Sequence, residues 1–314
     1  MNALTVNLHL LMISFYQPTN KRNKIIVEAG AFPSDQYAID SQVKLHGLEP
    51  NNTILELKPR QNEYYLRTDD IISAIENCSD ELSMVLMGGV NYYTGQAFDL
   101  KTITNAAHSV GALAGFDLAH AAGNVILNLH KWNIDFAAWC SYKYLCAGPC
   151  APSGIFIHDK HHEWSGPRLE GWWGHDKLSR FEMNREFKPI NSAEGWQISN
   201  APIFGMAPLI ASMEIFDQIG MDTINIKGQN ISNYLSYLIN EKLPQIKIIT
   251  PDDHGCQLSL IVPNGVSVFN TLSERGVVCD WREPDVIRFA PHPLFNTYLD
   301  IFNVVKILED SIDG

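Results

Sequence analysis

The chain has 314 residues, with 23 Lys and Arg against 35 Asp and Glu, so its formal net charge at pH 7 is 23 − 35 = −12. This acidity argues against nucleic-acid binding, because proteins neutralise a phosphate backbone with clustered Lys and Arg. A hydrophobic fraction of 46% with 18% charged residues is typical of a globular protein, and the length suggests about two domains.

The first apolar run, LTVNLHLLMISFY, gives no membrane signal. It is interrupted by Asn7 and His9 and is shorter than a bilayer-spanning helix. It also lacks the basic residues that precede the apolar core of a secretion signal. The six cysteines are a small share of the chain, which favours reduced thiols. We therefore expect a cytoplasmic protein without a membrane partner.

Helical and extended patterns alternate along the first 160 residues. Residues 3–16 predict a helix, 24–29 a strand and 37–48 a helix, and a strand over 53–59 precedes a helix opened by Thr68 as its capping residue. Then follow a buried strand (82–90), a helix (100–112) and three strands (112–120, 134–141 and 153–158). This alternation predicts an α/β fold whose mainly parallel sheet is covered by helices on both faces.

The pattern changes in the last third of the chain. Residues 159–200 are rich in Trp, Gly and Pro, which indicates ordered active-site loops. Two long helices follow (208–220 and 223–243), and then strands at 247–251, 256–263 and 285–291 with helices at 267–276 and 298–312. We expect a large domain over residues 1–205 and a smaller α+β domain over 206–314.

Two side chains stand where a ligand is expected. Asp117 ends the strand LAGFD, and Lys143 follows the strand DFAAWCS. Ligands of open α/β sheets bind beyond the carboxyl ends of the strands, so both side chains are expected to reach one crevice. Pyridoxal phosphate requires this pair, a lysine amine that bonds to the cofactor and a carboxylate that keeps the pyridine nitrogen protonated.

The sequence motifs around Asp117 and Lys143 indicate a narrower class of enzyme. Asp117-Leu-Ala-His120 with Gly123, Asp135 and Ser141-Tyr142-Lys143 resembles the signature of the class V aminotransferase branch of fold-type I pyridoxal-phosphate enzymes. More narrowly, GFDLAHAAGN, WCSYKYL, GWWGH, QISN and RGVVCD resemble kynureninases, in order along nearly the whole chain.

The resemblance implies a set of site residues. Lys143 is similar to the lysine that bonds to the cofactor, Asp117 to the carboxylate at its ring nitrogen, and Arg288 to the arginine that binds the substrate carboxylate. The full set of residues implied to bind pyridoxal 5'-phosphate is Leu4, Thr5, Phe32, Pro33, Ser34, Asp35, Gly88, Asp117, His120, Tyr142, Lys143, Trp172 and Asn200. Some of these are expected to act across a homodimer interface.

The resemblance also implies the reaction. Kynurenine or 3-hydroxykynurenine would be hydrolysed to anthranilate or 3-hydroxyanthranilate and alanine, a step in tryptophan catabolism and the synthesis of NAD precursors. Lys143 would move the α-proton, and Tyr142 is the candidate proton donor. Each residue also has a simpler interpretation. Arg288 could form an ion pair with Asp280 or Glu283, and at least one of the adjacent Trp172 and Trp173 must be structural.

Several features leave alternatives open. Gly88 stands where a small hydroxyl residue is expected, Cys146 and Cys150 interrupt the turn after Lys143, and the resemblance begins well inside the length of kynureninases. A cysteine desulfurase-like enzyme and an inactive truncated fragment that acts only as a binding subunit are the competing interpretations. We expect no metal site, since Cys146 and Cys150 have no partner pair and HDKHHE is typical of a solvated helix start.

Overall fold

The computed structural model describes residues 1–313 and contains two sheets. The larger sheet consists of β1 (Lys24–Glu28), β2 (Ile54–Leu57), β3 (Leu82–Gly88), β4 (Leu113–Asp117), β5 (Phe136–Trp139) and β6 (Gly154–Ile157). Their order is β2-β1-β3-β4-β5-β6, and β1 to β5 run parallel. β6 is antiparallel to β5. The segment between them, 140–153, contains turns and no crossover helix, which a parallel return normally uses.

Helices cover both faces of this sheet, as the sequence predicts. They are α1 (Leu4–Phe15), α2 (Pro33–Leu45), α3 (Pro50–Thr53), α4 (Thr68–Cys78) and α5 (Leu100–Ser109). Ile25 and Val27 of β1 pack in the core that contains α1 and α2, whereas Ile26 packs in the core that contains α4 and α5. Successive side chains of a strand point to opposite faces, so the sheet is the middle layer of a three-layer α/β/α structure.

Two predicted helix starts are wrong. The helix predicted from residue 37 begins four residues earlier, because α2 starts at Pro33, where proline's fixed φ suits the first helical position and its missing N–H costs nothing. Thr68 is the first helical residue of α4, not its cap, and Arg67 at the N-cap position makes no side-chain capping bond. The predicted acidic first turn of α4 is present, since Asp69 and Asp70 lie there.

The second sheet is antiparallel and has its own core. Its order is β7-β8-β10-β9. The elements of this part are α6 (Ile203–Ile219), α7 (Met221–Lys242), β7 (Lys247–Ile248), β8 (Leu258–Ile261), α8 (Gly265–Glu274), β9 (Asp280–Arg282), β10 (Val286–Phe289) and α9 (Tyr298–Asp313). The short, half-buried β9 has no apolar run and was not predicted. The predicted boundary at 205/206 falls inside α6, whose Phe216 packs in a core of the larger sheet.

The segment 159–200 is ordered but irregular. Trp196 is 2% exposed and its ring N–H donates to Ser14 Oγ at 2.9 Å, so the segment packs against α1. HDKHHE begins a short 3-10 helix at Asp159, as expected, but it is only partly solvated, because His158 is buried and His161 Nε2 lies 2.8 Å from Asp135 Oδ1. Within residues 1–313 no helix combines the length and the apolar character needed to cross a bilayer.

Candidate active site

A cavity of about 340 Å³ opens where the order of the larger sheet reverses. The chain passes from β1 outward to β2 and then returns across β1 to β3, which makes the β1/β3 boundary the expected ligand site of such a sheet. Of the residues implied by the sequence, those that line the cavity are Leu4, Thr5, Phe32, Ser34, Asp35, Gly88, Asp117, His120, Tyr142, Lys143 and Arg288.

Asp117 and Lys143 meet in this cavity, as their strand-end positions predict. Asp117 is the last residue of β4, is 7% exposed, and accepts a hydrogen bond from the Ala119 N–H at 2.7 Å. Lys143 Nζ lies 3.0 Å from His120 Nε2. Burial, then the charge of Lys143, lowers the pKa of His120 well below its usual value, so its neutral ring accepts a hydrogen bond from the lysine amine. The buried Nδ1 of His120 has no hydrogen-bond partner among the described residues.

Three carboxyl groups gather on one side of the cavity, on Glu28, Asp35 and Asp117. Burial raises the pKa of Glu28 to about 7. Burial also raises the pKa of Asp35, and the negative charge of Asp117 adds to this rise. Burial likewise raises the pKa of Asp117. Burial is the first cause of each rise, so these carboxyl groups are shielded from water, and a cationic ring nitrogen beside Asp117 would favour its charged form.

Another part of the cavity suits an anion. Leu4 and Thr5, which begin α1, line it together with Ser34 of α2. The first N–H groups of a helix have no acceptor within the helix, and with the helix dipole they bind phosphate groups. The first turn of α1 contains no acidic side chain, and Thr5 Oγ1 lies 2.6 Å from Ser34 Oγ. Two hydroxyl groups and the free amides therefore point to a phosphate site.

Arg288 of β10 brings the second sheet to the cavity. Its Nε donates to Asp280 Oδ2 at 2.7 Å, and its Nη1 donates to the carbonyl of Tyr92. The simpler interpretation, an ion pair with Asp280, is therefore present in the structure. Arg282 also donates to Asp280 Oδ2, at 2.9 Å, and lines the cavity. Two guanidinium groups thus share one carboxylate at the place where a substrate carboxylate is expected.

Three implied residues do not line the cavity of this chain. Pro33 and Asn200 are exposed. Trp172 is 47% exposed and its ring N–H donates to the Arg180 carbonyl at 3.1 Å. Trp173 packs against the Arg180 guanidinium, 4.6 Å from its ring centre, in agreement with the expectation that one of the two tryptophans is structural. No residue of the segment 159–200 lines this cavity of the same chain.

Tyr142 lines the cavity but is 51% exposed. Burial, and then the charge of Cys140, raises the pKa of Tyr142, so its hydroxyl keeps its proton at neutral pH. Other lining residues were missed, among them Glu28, Tyr92 and Arg282. Glu28 ends a predicted strand, so the rule that identifies Asp117 could have found it. Tyr92 contributes a backbone carbonyl to Arg288 and an aromatic ring 5.3 Å from that of Phe32, but it lies in a turn without an apolar pattern that could have indicated it.

The cavity fits pyridoxal phosphate in its donor groups. It offers a phosphate site at α1, a carboxylate at Asp117 for the ring nitrogen, and the amine of Lys143. The aromatic ring of Phe32 lies 5.7 Å from Lys143 Nζ. The unpartnered Nδ1 of His120 is a further buried polar atom in the wall of this cavity.

Comparison with solved structures defines the class of fold. A cysteine desulfurase from Thermococcus onnurineus matches 100% of this chain and 78% of its own, with a TM-score of 0.81 and 18% identity. C-DES, whose structure has glycine covalently linked to its PLP cofactor, matches 98% of this chain and 79% of its own, with a TM-score of 0.81 and 15% identity. The fold is that of the fold-type I pyridoxal-phosphate enzymes, as predicted.

Sequence identity is much higher to one family within this class. Kynureninase of Flavobacterium psychrophilum is 53% identical over 321 residues, which cover 99% of this chain and 76% of that protein. Kynureninase of Myxococcus xanthus is 53% identical over 318 residues, covering 98% and 74%. The chain belongs to the kynureninase family. In addition, the family described as Kynureninase C-terminal domain matches residues 224–308.

Proposed function

We propose that this protein is a pyridoxal-phosphate-dependent hydrolase of kynurenine and 3-hydroxykynurenine. The products are anthranilate or 3-hydroxyanthranilate, and L-alanine. The observation that carries the proposal is the meeting of Asp117, His120 and Lys143 in one cavity of a chain that is 53% identical to a kynureninase. We place the reaction in the cytoplasm, in tryptophan catabolism that leads to NAD precursors.

The residues of the cavity would hold the cofactor by its separate groups. Lys143 would bond to it, Asp117 would hold the protonated ring nitrogen, and the N-terminus of α1 would bind its phosphate. Phe32 and His120 would contact the ring. When bound, pyridoxal phosphate supplies an acceptor for the electrons released as bonds to the substrate's Cα break.

The chain's own side chains then bind the substrate and move protons. Arg288 binds the α-carboxylate through two parallel hydrogen bonds, for which Asp280 must give up its place on the guanidinium. The Lys143 amine, free once the substrate is bound, would remove the α-proton. Water adds to the carbonyl carbon of the side chain, and the Cβ–Cγ bond breaks. Tyr142, whose raised pKa keeps it protonated, donates the proton that the alanine portion needs.

In a homodimer, the exposed residues that the resemblance assigns to the cofactor site would line the cavity of the other subunit. Trp172 and Asn200 are exposed and lie outside the cavity of their own chain. In the proposed dimer these two side chains complete the cavity of the other subunit. The 47% exposure of the Trp172 ring supports this arrangement, since a large aromatic side chain at an interface loses its contact with water on assembly.

The competing functions have less support. Cysteine desulfurase chemistry needs a thiol that reaches the substrate, and no cysteine is among the described residues that line the cavity. The solved desulfurase with the same fold shares 18% identity with this chain, against 53% for a kynureninase. An inactive binding subunit has no need for Lys143, Asp117 and Arg288 in one cavity.

The proposal is tested by the visible absorption of the purified chain with added pyridoxal phosphate. The lysine-bound cofactor gives a visible band, which we expect in the parent chain and not in Lys143→Ala. Lys131→Ala is the matched control, because Lys131 is exposed and lies outside the cavity. A parent chain without the band, or a band that survives in Lys143→Ala, would contradict the proposal.

A further inference from the structure

Glu28 occupies a gap in the pairing of β1 and β3. The backbone register between these strands ends with the pair Ile26 and Val85, although both strands continue beyond it. At their carboxyl ends, the two side-chain oxygens of Glu28 accept from the Gly88 N–H at 3.0 and 3.1 Å. The Glu28 carboxylate thus takes the acceptor position that a backbone carbonyl would occupy if the ladder continued.

Burying the Glu28 carboxyl group has a free-energy cost that no ion pair offsets among the described residues. Glu28 is 6% exposed. Among residues 1–313 no lysine or arginine forms an ion pair with it. A buried carboxyl group without a cationic partner is unfavourable. Because Glu28 lines the same cavity as Asp117 and Lys143, its role is expected at the cofactor.

Gly88 lies directly against the Glu28 carboxyl group. A Cβ atom added to Gly88 would lie 2.9 Å from Glu28 Oε1, closer than real Cβ atoms approach an oxygen. Gly88 therefore allows the carboxylate to approach the backbone of β3. The hydroxyl residue that the sequence led us to expect here would place its Cβ against the Glu28 carboxyl group and require that group to move.

The contact continues to Asp117. Gly88 is paired with Asp117 in the β3–β4 register, and the next amide, Gly89 N–H, donates to the Asp117 carbonyl at 2.7 Å. We propose that Glu28 is a positioning residue: it holds the end of β3 where the ladder to β1 has stopped, and through the β3–β4 pairing it fixes the Asp117 carboxylate that receives the cofactor's ring nitrogen. The inference rests on the proposed function, because its readout is cofactor held at Lys143.

The test is a titration of pyridoxal phosphate into the cofactor-free parent chain, Glu28→Ala, Glu28→Gln and Glu56→Ala. Glu28→Ala leaves the buried Gly88 N–H without its acceptor, and we expect cofactor affinity to fall about tenfold or more. Glu28→Gln keeps one carbonyl oxygen as acceptor and should stay within about threefold of the parent. Glu56 is an exposed residue of the neighbouring β2, so Glu56→Ala should bind like the parent.

Two further readouts separate positioning from general stability. In Glu28→Ala saturated with cofactor, the visible circular dichroism of the bound ring should change, and kcat should fall while KM for kynurenine stays, because Arg288 is untouched. A merely structural role would lower Tm and leave both properties at their parent values.

Gly88→Ala provides an independent variant if Glu28→Ala does not fold. Its methyl group would displace the Glu28 carboxylate, so we expect the same loss of affinity, and no further loss on combining the two changes. The inference is overturned if the parent chain binds cofactor and either Glu28→Ala or Gly88→Ala binds it equally well with an unchanged dichroism spectrum. A parent chain that binds no cofactor would instead contradict the proposed function itself.

Discussion

At the scale of single residues, the cavity separates two kinds of anion recognition. The proposed phosphate site consists of backbone amides and hydroxyl groups at the start of α1, near Thr5 and Ser34. The proposed carboxylate site consists of the Arg288 guanidinium, whose planar fork matches two oxygens at once. Because the net charge of the chain is −12, both anions must be attracted by these local groups against an unfavourable overall field.

Arg288→Lys should therefore affect substrate binding more than it affects catalysis. A lysine keeps the charge and loses the bidentate geometry, so we expect KM for kynurenine to rise about tenfold or more, with a smaller change in kcat. Steady-state kinetics with saturating cofactor measures both. Arg60→Lys, at an exposed ion pair with Asp70, is the control. A KM equal to that of the parent chain would remove Arg288 from the substrate site.

Which site residues could be predicted depends on what positions them. Asp117 and Lys143 follow strands with clear apolar patterns, and the carboxyl ends of parallel strands meet at one edge, so their meeting was predictable. Glu28 obeys the same rule, but its partner is the amide of Gly88, and a backbone partner 60 residues away leaves no local pattern. The position of Trp172 was not predictable, because it lies in an irregular segment without periodicity.

At the scale of secondary structure elements, Asp135 joins several parts of the large domain. Its side chain is 1% exposed and accepts from the Ala114 N–H at 2.8 Å, His108 Nε2 at 2.7 Å, His161 Nε2 at 2.8 Å and Lys160 Nζ at 2.7 Å. Burial acts to raise the pKa of Asp135, but the hydrogen bonds outweigh it and hold the pKa well below its usual value. This carboxylate links β4, α5 and the start of the irregular segment.

Asp135→Asn should lower the free energy of unfolding by roughly 3 kcal/mol at pH 7, because it removes the buried carboxylate that accepts hydrogen bonds from His108, His161 and Lys160. The folded pKa of Asp135 lies below the unfolded value of 3.8, so its contribution is present above that value and is lost as pH falls toward the folded pKa. The gap between parent and variant should therefore narrow below about pH 4.

Urea unfolding from pH 7 down to pH 3 measures this gap, and Asp252→Asn, at an exposed residue, is the control. A gap that is absent at pH 7, or that widens in acid, would contradict the assignment.

Helices and strands were predictable where an apolar pattern fills them. β3 is buried along nearly its whole length and was recognised from its apolar run. The direction of β6 was not predictable, because direction depends on the path of the connection and not on the pattern of the strand. The start of α2 at Pro33 was missed because exposed Phe32 and Pro33 interrupt the apolar periodicity.

At the scale of the whole molecule, two sheets contribute to one cavity. The first provides Asp117 and Lys143, and β10 of the second provides Arg288. In the proposed homodimer a third contribution, from Trp172 and Asn200, comes from the other subunit. An active site shared between two chains can be restored by combining subunits that carry different defects, whereas a site within one chain cannot.

Mixing two defective variants should restore activity. If Trp172 serves the other subunit's cavity, a hybrid of Lys143→Ala and Trp172→Ala subunits has one site with both residues intact. When equal amounts of the two variant subunits reassemble at random, half of the dimers are hybrids. Each hybrid has one intact site, so about a quarter of all sites should be intact. Activity is measured before and after unfolding and refolding the variants together. Activity that stays at the mean of the separate variants would contradict the shared site.

We propose that this chain, with pyridoxal phosphate bound, hydrolyses kynurenine. The most direct measurement is the release of fluorescent anthranilate from L-kynurenine by the cofactor-loaded chain, with alanine quantified in the same samples and L-cysteine offered in parallel. We expect anthranilate and alanine in equal amounts, with no release by Lys143→Ala. Absence of anthranilate from a chain that shows the cofactor band, or release of sulfur from cysteine instead, would contradict it.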